Sequence, residues 1–349
     1  MGNCCSAASH PYKTKTEFYI TDDLVYKDIH EIHTLKSELT ATPPNHNESP
    51  LEEDKSPVDI ESQRISIELH GPSRKKAMQV SEFPSINRIE NENIKGKLPE
   101  EFIYESNIKE EEDLPFLPPH MFFKSKAVYK GQWKNGQRHG KGEQLWPNGS
   151  FYQGFWENDT RNGRGRLRTS EGEVYEGQFK ENKMHGKGIY YYSSGAVYEG
   201  EWLEDNRHGH GIETNKDGSK YDGTFILNMK QGYGTQSWID GSVYKGEFNA
   251  NKKHGYGVLE WSDGRKYTGE WKNNVMEGNG QFTWPDGRVY IGEYKDGMKH
   301  GEGEFTWNNQ NKYKGGFVLN KQHGEGVYIL HNGKTTRGIW DNGMLVHEL

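Results

Sequence analysis

A tyrosine returns every 23 residues along most of this chain: Tyr129, Tyr152, Tyr175, Tyr198, Tyr221, Tyr244, Tyr267, Tyr290 and Tyr313. The segments that follow these tyrosines are alike, as YKGQWKNGQRHGKGEQLWPNGSF, YEGQFKENKMHGKGIYYYSSGAV and YKGEFNANKKHGYGVLEWSDGRK show. A tenth, incomplete unit runs over 336–345 and keeps Gly338 and Trp340. A fixed period in this range means an array, in which each unit buries its apolar face only against its neighbours. The nine full units occupy 129–335, and the array region is taken as 121–349.

Each unit opens Tyr-x-Gly-x-aromatic. Side chains alternate along a strand, so Tyr129, Gly131 and Trp133 share one face, and Lys130 and Gln132 share the other. The small central residue lets neighbouring rings lie over the backbone. A polar loop is expected next, ending in Gly-x-Gly, then a second short strand such as Val258–Trp261. Asn-Gly or Asp-Gly closes most units, for example Asn148-Gly149 and Asp263-Gly264, and these dipeptides are strong hairpin signals. The expected fold is all-β: an elongated single-layer antiparallel meander with two strands per repeat. Strands about 4.8 Å apart would make nine repeats roughly 85 Å long. The aromatic face should be a shallow groove lined by Tyr129, Trp133, Tyr152, Trp156, Tyr175, Phe179, Tyr198, Trp202, Tyr221, Phe225, Tyr244, Phe248, Tyr267 and Trp271. Partly covered rings of this kind make a docking surface for a partner helix or peptide.

The pattern Tyr-x-Gly-x-Trp, then His-Gly-x-Gly, then Gly, at a 23-residue period, resembles the MORN repeat family (membrane occupation and recognition nexus). The resemblance covers 129–345. Asn162, Gln231 and Glu277 stand where other units have histidine. Gln310 replaces the last turn glycine, so the eighth unit's turn is expected to be longer or distorted. The resemblance implies an elongated antiparallel β structure used for scaffolding in junctional, cytoskeletal, ciliary and phosphoinositide-linked proteins, sometimes as a homodimer through the array.

The residues offer little for catalysis. His139, His185, His208, His254, His300 and His323 recur, but equivalent positions of adjacent repeats should lie roughly 10 Å apart, and zinc needs its ligands at about 2 Å. An ordering role for the histidine, and no metal, is the expectation. The Gly-x-Gly pairs precede strands, whereas a phosphate loop needs a following helix. No catalytic domain is expected after Leu349, no cofactor is called for, and the chain is expected not to be an enzyme.

Residues 1–120 have another character. They carry 23 Asp and Glu against 13 Lys and Arg, and prolines and polar residues interrupt every apolar run. Such a segment buries too little to offset its conformational entropy. Residues 11–120 are therefore expected to be a disordered acidic tether, with a short helix near 98–112 and a stretch before Lys124 that docks on the array. At the start, Gly2 and Ser6 match M-G-x-x-x-[ST], the N-myristoylation pattern, and the chain's two cysteines, Cys4 and Cys5, follow Gly2 closely. One myristoyl chain binds membrane only marginally, so palmitoylation of Cys4 and Cys5 would complete an anchor over residues 1–10.

Repeats one to three are basic, with 11 Lys and Arg against 7 Asp and Glu. Lys134, Lys141, Arg161, Arg164, Arg166 and Arg168 are the candidate contacts to anionic lipid, phosphoinositides included. An ordinary solvated basic edge is the competing reading. The chain's formal net charge of −7 argues against nucleic acid as a partner. The combined expectation is a lipid-anchored scaffold that holds partner proteins at the cytoplasmic face of a plasma, ciliary or cortical membrane. The alternative is a structural component of a ciliary, axonemal or cortical cytoskeletal assembly.

Overall fold

The computed structural model describes residues 102–104 and 114–349. The expected anchor at Gly2, Cys4 and Cys5, most of the tether and most of the expected helix lie outside the described residues. Phe102–Tyr104, the described part of that helix, are not helical.

Among the described residues one 21-stranded antiparallel sheet holds all the strands, and each strand pairs with its neighbours in sequence. The sheet begins at β1 (Phe116–Met121), ahead of the first repeat, so the FLPPHM stretch joins the array as an edge strand against β2 (Val128–Lys134). A repeat then consists of a seven-residue and a nine-residue strand: β2 with β3 (Gln137–Leu145), and β4 (Phe151–Glu157) with β5 (Thr160–Arg168). The pattern continues to the last strand, Met344–Glu348.

The expected polar loop in mid-repeat does not exist. The segment from Gln137 to Leu145, including His139-Gly140-Lys141-Gly142, is continuous strand. Only two residues separate the strands of a repeat, and in most units both have positive φ: Asn158 (47°) with Asp159 (66°), and Leu227 (47°) with Asn228 (70°). That is the type I′ turn whose twist matches a hairpin. The second turn uses the Asn-Gly signal. The Gly149 N–H donates to the Trp146 carbonyl and the Trp146 N–H to the Ser150 carbonyl, each at 2.9 Å. The eighth unit's turn is neither longer nor distorted. The Gln310 N–H donates to the Trp307 carbonyl at 2.9 Å, as in the other units, and Gln310 itself takes φ 67°. Its exposed side chain has room, so the missing glycine is met by local backbone strain and not by rearrangement.

Why Tyr-x-Gly-x-aromatic builds a core is visible in one unit. The β4–β5 register slips between Gly154 and Trp156, which places a bulge at Phe155. A bulge leaves a carbonyl outside the ladder, and the Tyr152 hydroxyl donates to the Phe155 carbonyl at 2.9 Å. All nine tyrosines repeat this bond, at 2.9–3.2 Å. To reach it the ring lies flat over Gly154 and Gly165, which face each other across the strands. A Cβ on either glycine would overlap the Tyr152 ring and hydroxyl.

The rings then interlock. Tyr152 meets Trp156 of its own repeat edge-on at 5.2 Å and Phe179 of the next at 5.1 Å. The same alternation runs from Tyr129 and Trp133 to Tyr313 and Trp340. Edge-to-face pairs contribute about 0.5–1.5 kcal/mol each beyond burial. The zipper therefore stands in for the second layer that a one-sheet fold lacks.

Candidate functional site

Dense ring packing changes the expected docking groove. All nine tyrosines are 0–1% exposed, and Trp156, Phe179, Trp202, Phe225, Phe248 and Trp271 are also buried; only Trp133, at the array's start, is half-buried. The groove residues named from sequence are core. Neighbouring repeats come close enough for each tyrosine to be covered by the next repeat's ring, so little of either is left for a partner.

Two other rows lie on that face. One is half-exposed and aromatic, eighteenth in the repeat: Trp146, Tyr192, Trp238, Trp261, Trp284 and Trp307, with Trp238 the most open. The other is cationic, tenth in the repeat. The Arg138 guanidinium lies 4.4 Å from the Trp156 ring, the Lys230 amine 4.5 Å from Tyr221, the Lys253 amine 4.5 Å from Trp271 and the Lys299 amine 4.7 Å from Phe305. Cations over ring faces gain from the ring quadrupole. Glu213 serves two of this row, meeting Arg207 at 2.5 Å and Lys230 at 3.0 Å. Lys253 has Leu259 in its own repeat where Lys230 has Gln236. Burial pushes its amine down to about 8. Sequence reasoning passed over this row, although a basic residue stands immediately before the histidine or its substitute in six of the nine units.

The basic patch named from sequence is not one surface. Arg161 belongs to the tenth-position row, with its guanidinium over Tyr152 and Phe179, and burial lowers its pKa. Arg164, Arg166 and Arg168 alternate along β5 on the opposite face, as a regular strand requires. Of these, Arg164 and Arg166 pair with Glu176 at 3.0 and 2.7 Å. The Lys141 amine lies over the Tyr104 ring, and Lys134 ends β2 beside the turn.

At some of the histidine positions the side chain reaches the turn of the next repeat. His139 Nδ1 accepts from the Asn158 N–H of the next repeat at 3.5 Å. Gln231 and Glu277, which replace histidine, accept the equivalent N–H of Ala250 and Asp296, each at 3.0 Å. Where the bond forms, each of the three residue types supplies the acceptor; the Nδ1 atoms of His208 and His254 are buried without a partner, and Asn162 donates to Glu157 instead. No group of three or more metal-ligating side chains occurs among the described residues, and no helix among them is long and apolar enough to cross a membrane.

The family model for the MORN repeat matches nine consecutive segments: 129–151, 152–174, 175–197, 198–220, 221–243, 244–264, 267–287, 290–312 and 313–335. The chain belongs to the MORN-repeat family. A comparison with curated proteins found no match. Among solved structures, this MORN-repeat protein is similar to the TCP10 domain of Danio rerio CPAP, with 11% identity over 59% of this chain and 97% of that one, at a TM-score of 0.34. It is also similar to the SAS-4 TCP domain of Drosophila melanogaster, solved with a proline-rich motif of Ana2, with 16% identity over 45% of this chain and 85% of that one, at a TM-score of 0.29.

Proposed function

We propose that this MORN-repeat protein is a non-enzymatic scaffold, held at the cytoplasmic face of a membrane by acylation of Gly2, Cys4 and Cys5, whose array docks an extended partner protein. The observation that carries the docking role is the half-exposed tryptophan row beside the buried cations. Interface cores favour aromatic residues and arginine, and a rigid sheet offers them at a fixed repeat spacing. The row of cations fits a partner segment with acidic and apolar residues.

The test uses surface substitutions that spare the zipper. Trp238 and Ile239 are both exposed, so Trp238→Ser with Ile239→Ser should leave the fold intact. Cross-linking in cells should give discrete adducts with the wild-type protein and lose them with this variant, at unchanged membrane association. Identical adducts in both would contradict docking on this face. Detergent extraction separates the scaffold from a structural element built into a cytoskeleton: the scaffold should be released into detergent, whereas the structural element would stay in the pellet.

A further inference from the structure

On the sheet face turned away from the tyrosine zipper, large side chains of later repeats such as Tyr233, Tyr256 and Ile291 are exposed, whereas those around Phe155 are buried. The fourth position of the repeat holds Gln132, Phe155, Gln178, Glu201, Thr224, Glu247, Glu270, Glu293 and Gly316. Phe155 is the lone aromatic among them. Around it Phe151, Val174 and Tyr191 are also buried. A single-layer sheet cannot bury residues on its second face unless something lies on top.

What lies over Phe155 is part of the same chain. Phe102 is 6% exposed, while Ile103 between the two rings is 66% exposed and points away. The Tyr104 ring meets Phe155 edge-on at 5.5 Å and Phe102 at 5.1 Å. The Arg164 and Arg166 guanidinium groups lie 5.9 and 5.8 Å from the Phe102 ring, and the Lys141 amine 5.6 Å from the Tyr104 ring. Glu176 holds both arginines in place through its two oxygens. Charge agrees with the geometry. Glu100, Glu101, Glu105, Glu110, Glu111, Glu112 and Asp113 flank the two rings in sequence, and repeats one to three are the basic part of the array.

We infer that this face of repeats one to three is a peptide receptor for an aromatic-x-aromatic segment with acidic flanks, and that Phe102–Ile103–Tyr104 is its occupant in cis. The contact is made by side chains. The three residues form no strand, so the sheet does not need them for its ladder. The pairing covers the arginine face while it lasts. A short connection gives a cis ligand a high effective concentration, on the order of millimolar, so the site should be largely closed to the same sequence in trans.

The experiment uses the full chain and a fluorescein-labelled peptide of residues 98–113. Anisotropy should report binding to the Phe102→Ala, Tyr104→Ala protein, at least tenfold weaker binding to the wild type, and loss of binding when Arg166→Glu is added to the double variant. No binding to the double variant, or equal binding to both proteins, would overturn the inference. A second measurement avoids the core-facing rings. With Cys4 and Cys5 changed to serine, Ile103→Cys carries a nitroxide at an exposed position. A restricted spectrum is expected, becoming mobile on Arg166→Glu; a label as mobile as on the urea-unfolded chain would overturn the inference.

Discussion

At the scale of single residues, the fold rests on a tyrosine that does three things at once. Its ring fills the core, its edges meet two rings, and its hydroxyl satisfies a bulge carbonyl. Tyr152→Phe keeps the ring and loses only the donor to Phe155, so it should destabilise by about 1 kcal/mol. Gly165→Ala places a Cβ against that ring and should cost about 1–3 kcal/mol, the range for overpacking. Urea unfolding of both variants checks the order; Gly165→Ala milder than Tyr152→Phe would contradict the account. Lys253 gives a pH signature. Burial lowers its folded pKa from 10.5 to about 8, so below pH 8 the amine is charged in both states and burial opposes folding. As pH rises through 8 the folded amine loses its proton while the unfolded one keeps it to about 10.5. The unfolded state then binds more protons, and this residue's contribution to stability rises with pH across that window. Lys253→Met should therefore be more stable than the wild type at pH 7.5, and the difference should shrink by pH 9.5. A pH-independent difference would show that the amine keeps its ordinary pKa.

At the scale of the element, each hairpin is tied to the one before it. The Asp159 carboxylate accepts from the Arg138 N–H at 2.9 Å, and the Asn182 amide oxygen from the Arg161 N–H at 2.8 Å. The same bond recurs from Met184 to Asp205 and from Lys299 to Asn320. Asn and Asp suit this place because they tolerate positive φ and carry a short acceptor. The other turn also holds one non-glycine residue at positive φ. Gln310 sits at φ 67° where most units have glycine, and a left-handed non-glycine residue costs roughly 1–2 kcal/mol. Gln310→Gly should raise the melting temperature, with part of the gain offset by greater freedom in the unfolded chain. An unchanged or lower melting point would count against strain there. This scale also shows what could be read in advance. Tyr-x-Gly-x-aromatic disclosed the strand and its facing, because alternation is a local property, but not the burial of the rings, which depends on how closely the next repeat packs. The two-residue turn carries its glycine signal in Asn135-Gly136 and Asp296-Gly297 but not in Leu227-Asn228, Ala250-Asn251 or Leu319-Asn320, where the Asn side chain instead accepts a bond from the preceding repeat. The cation row was present in the sequence, but a loop was expected where β5 begins; once Arg161 and Arg164 stand on one strand, three residues apart, they lie on opposite faces. Phe155 is an unremarkable aromatic until Tyr104 is seen above it.

At the scale of the whole molecule, a sheet of one layer has two faces, and this chain treats them differently. One face is closed by its own rings and bordered by half-exposed tryptophans. The other is open to solvent except where Phe102 and Tyr104 lie on residues of repeats one and two. The proposed membrane attachment rests on the sequence at Gly2, Cys4 and Cys5. One acyl chain holds a protein only marginally and reversibly, and two hold it stably. The direct measurement is membrane flotation of the full-length protein from cells, comparing the wild type with Gly2→Ala and with Cys4→Ser, Cys5→Ser. The account predicts that the wild type floats with membranes, that Gly2→Ala stays in the soluble fraction, and that the double serine variant divides between the two. A Gly2→Ala protein that floats as fully as the wild type would contradict it.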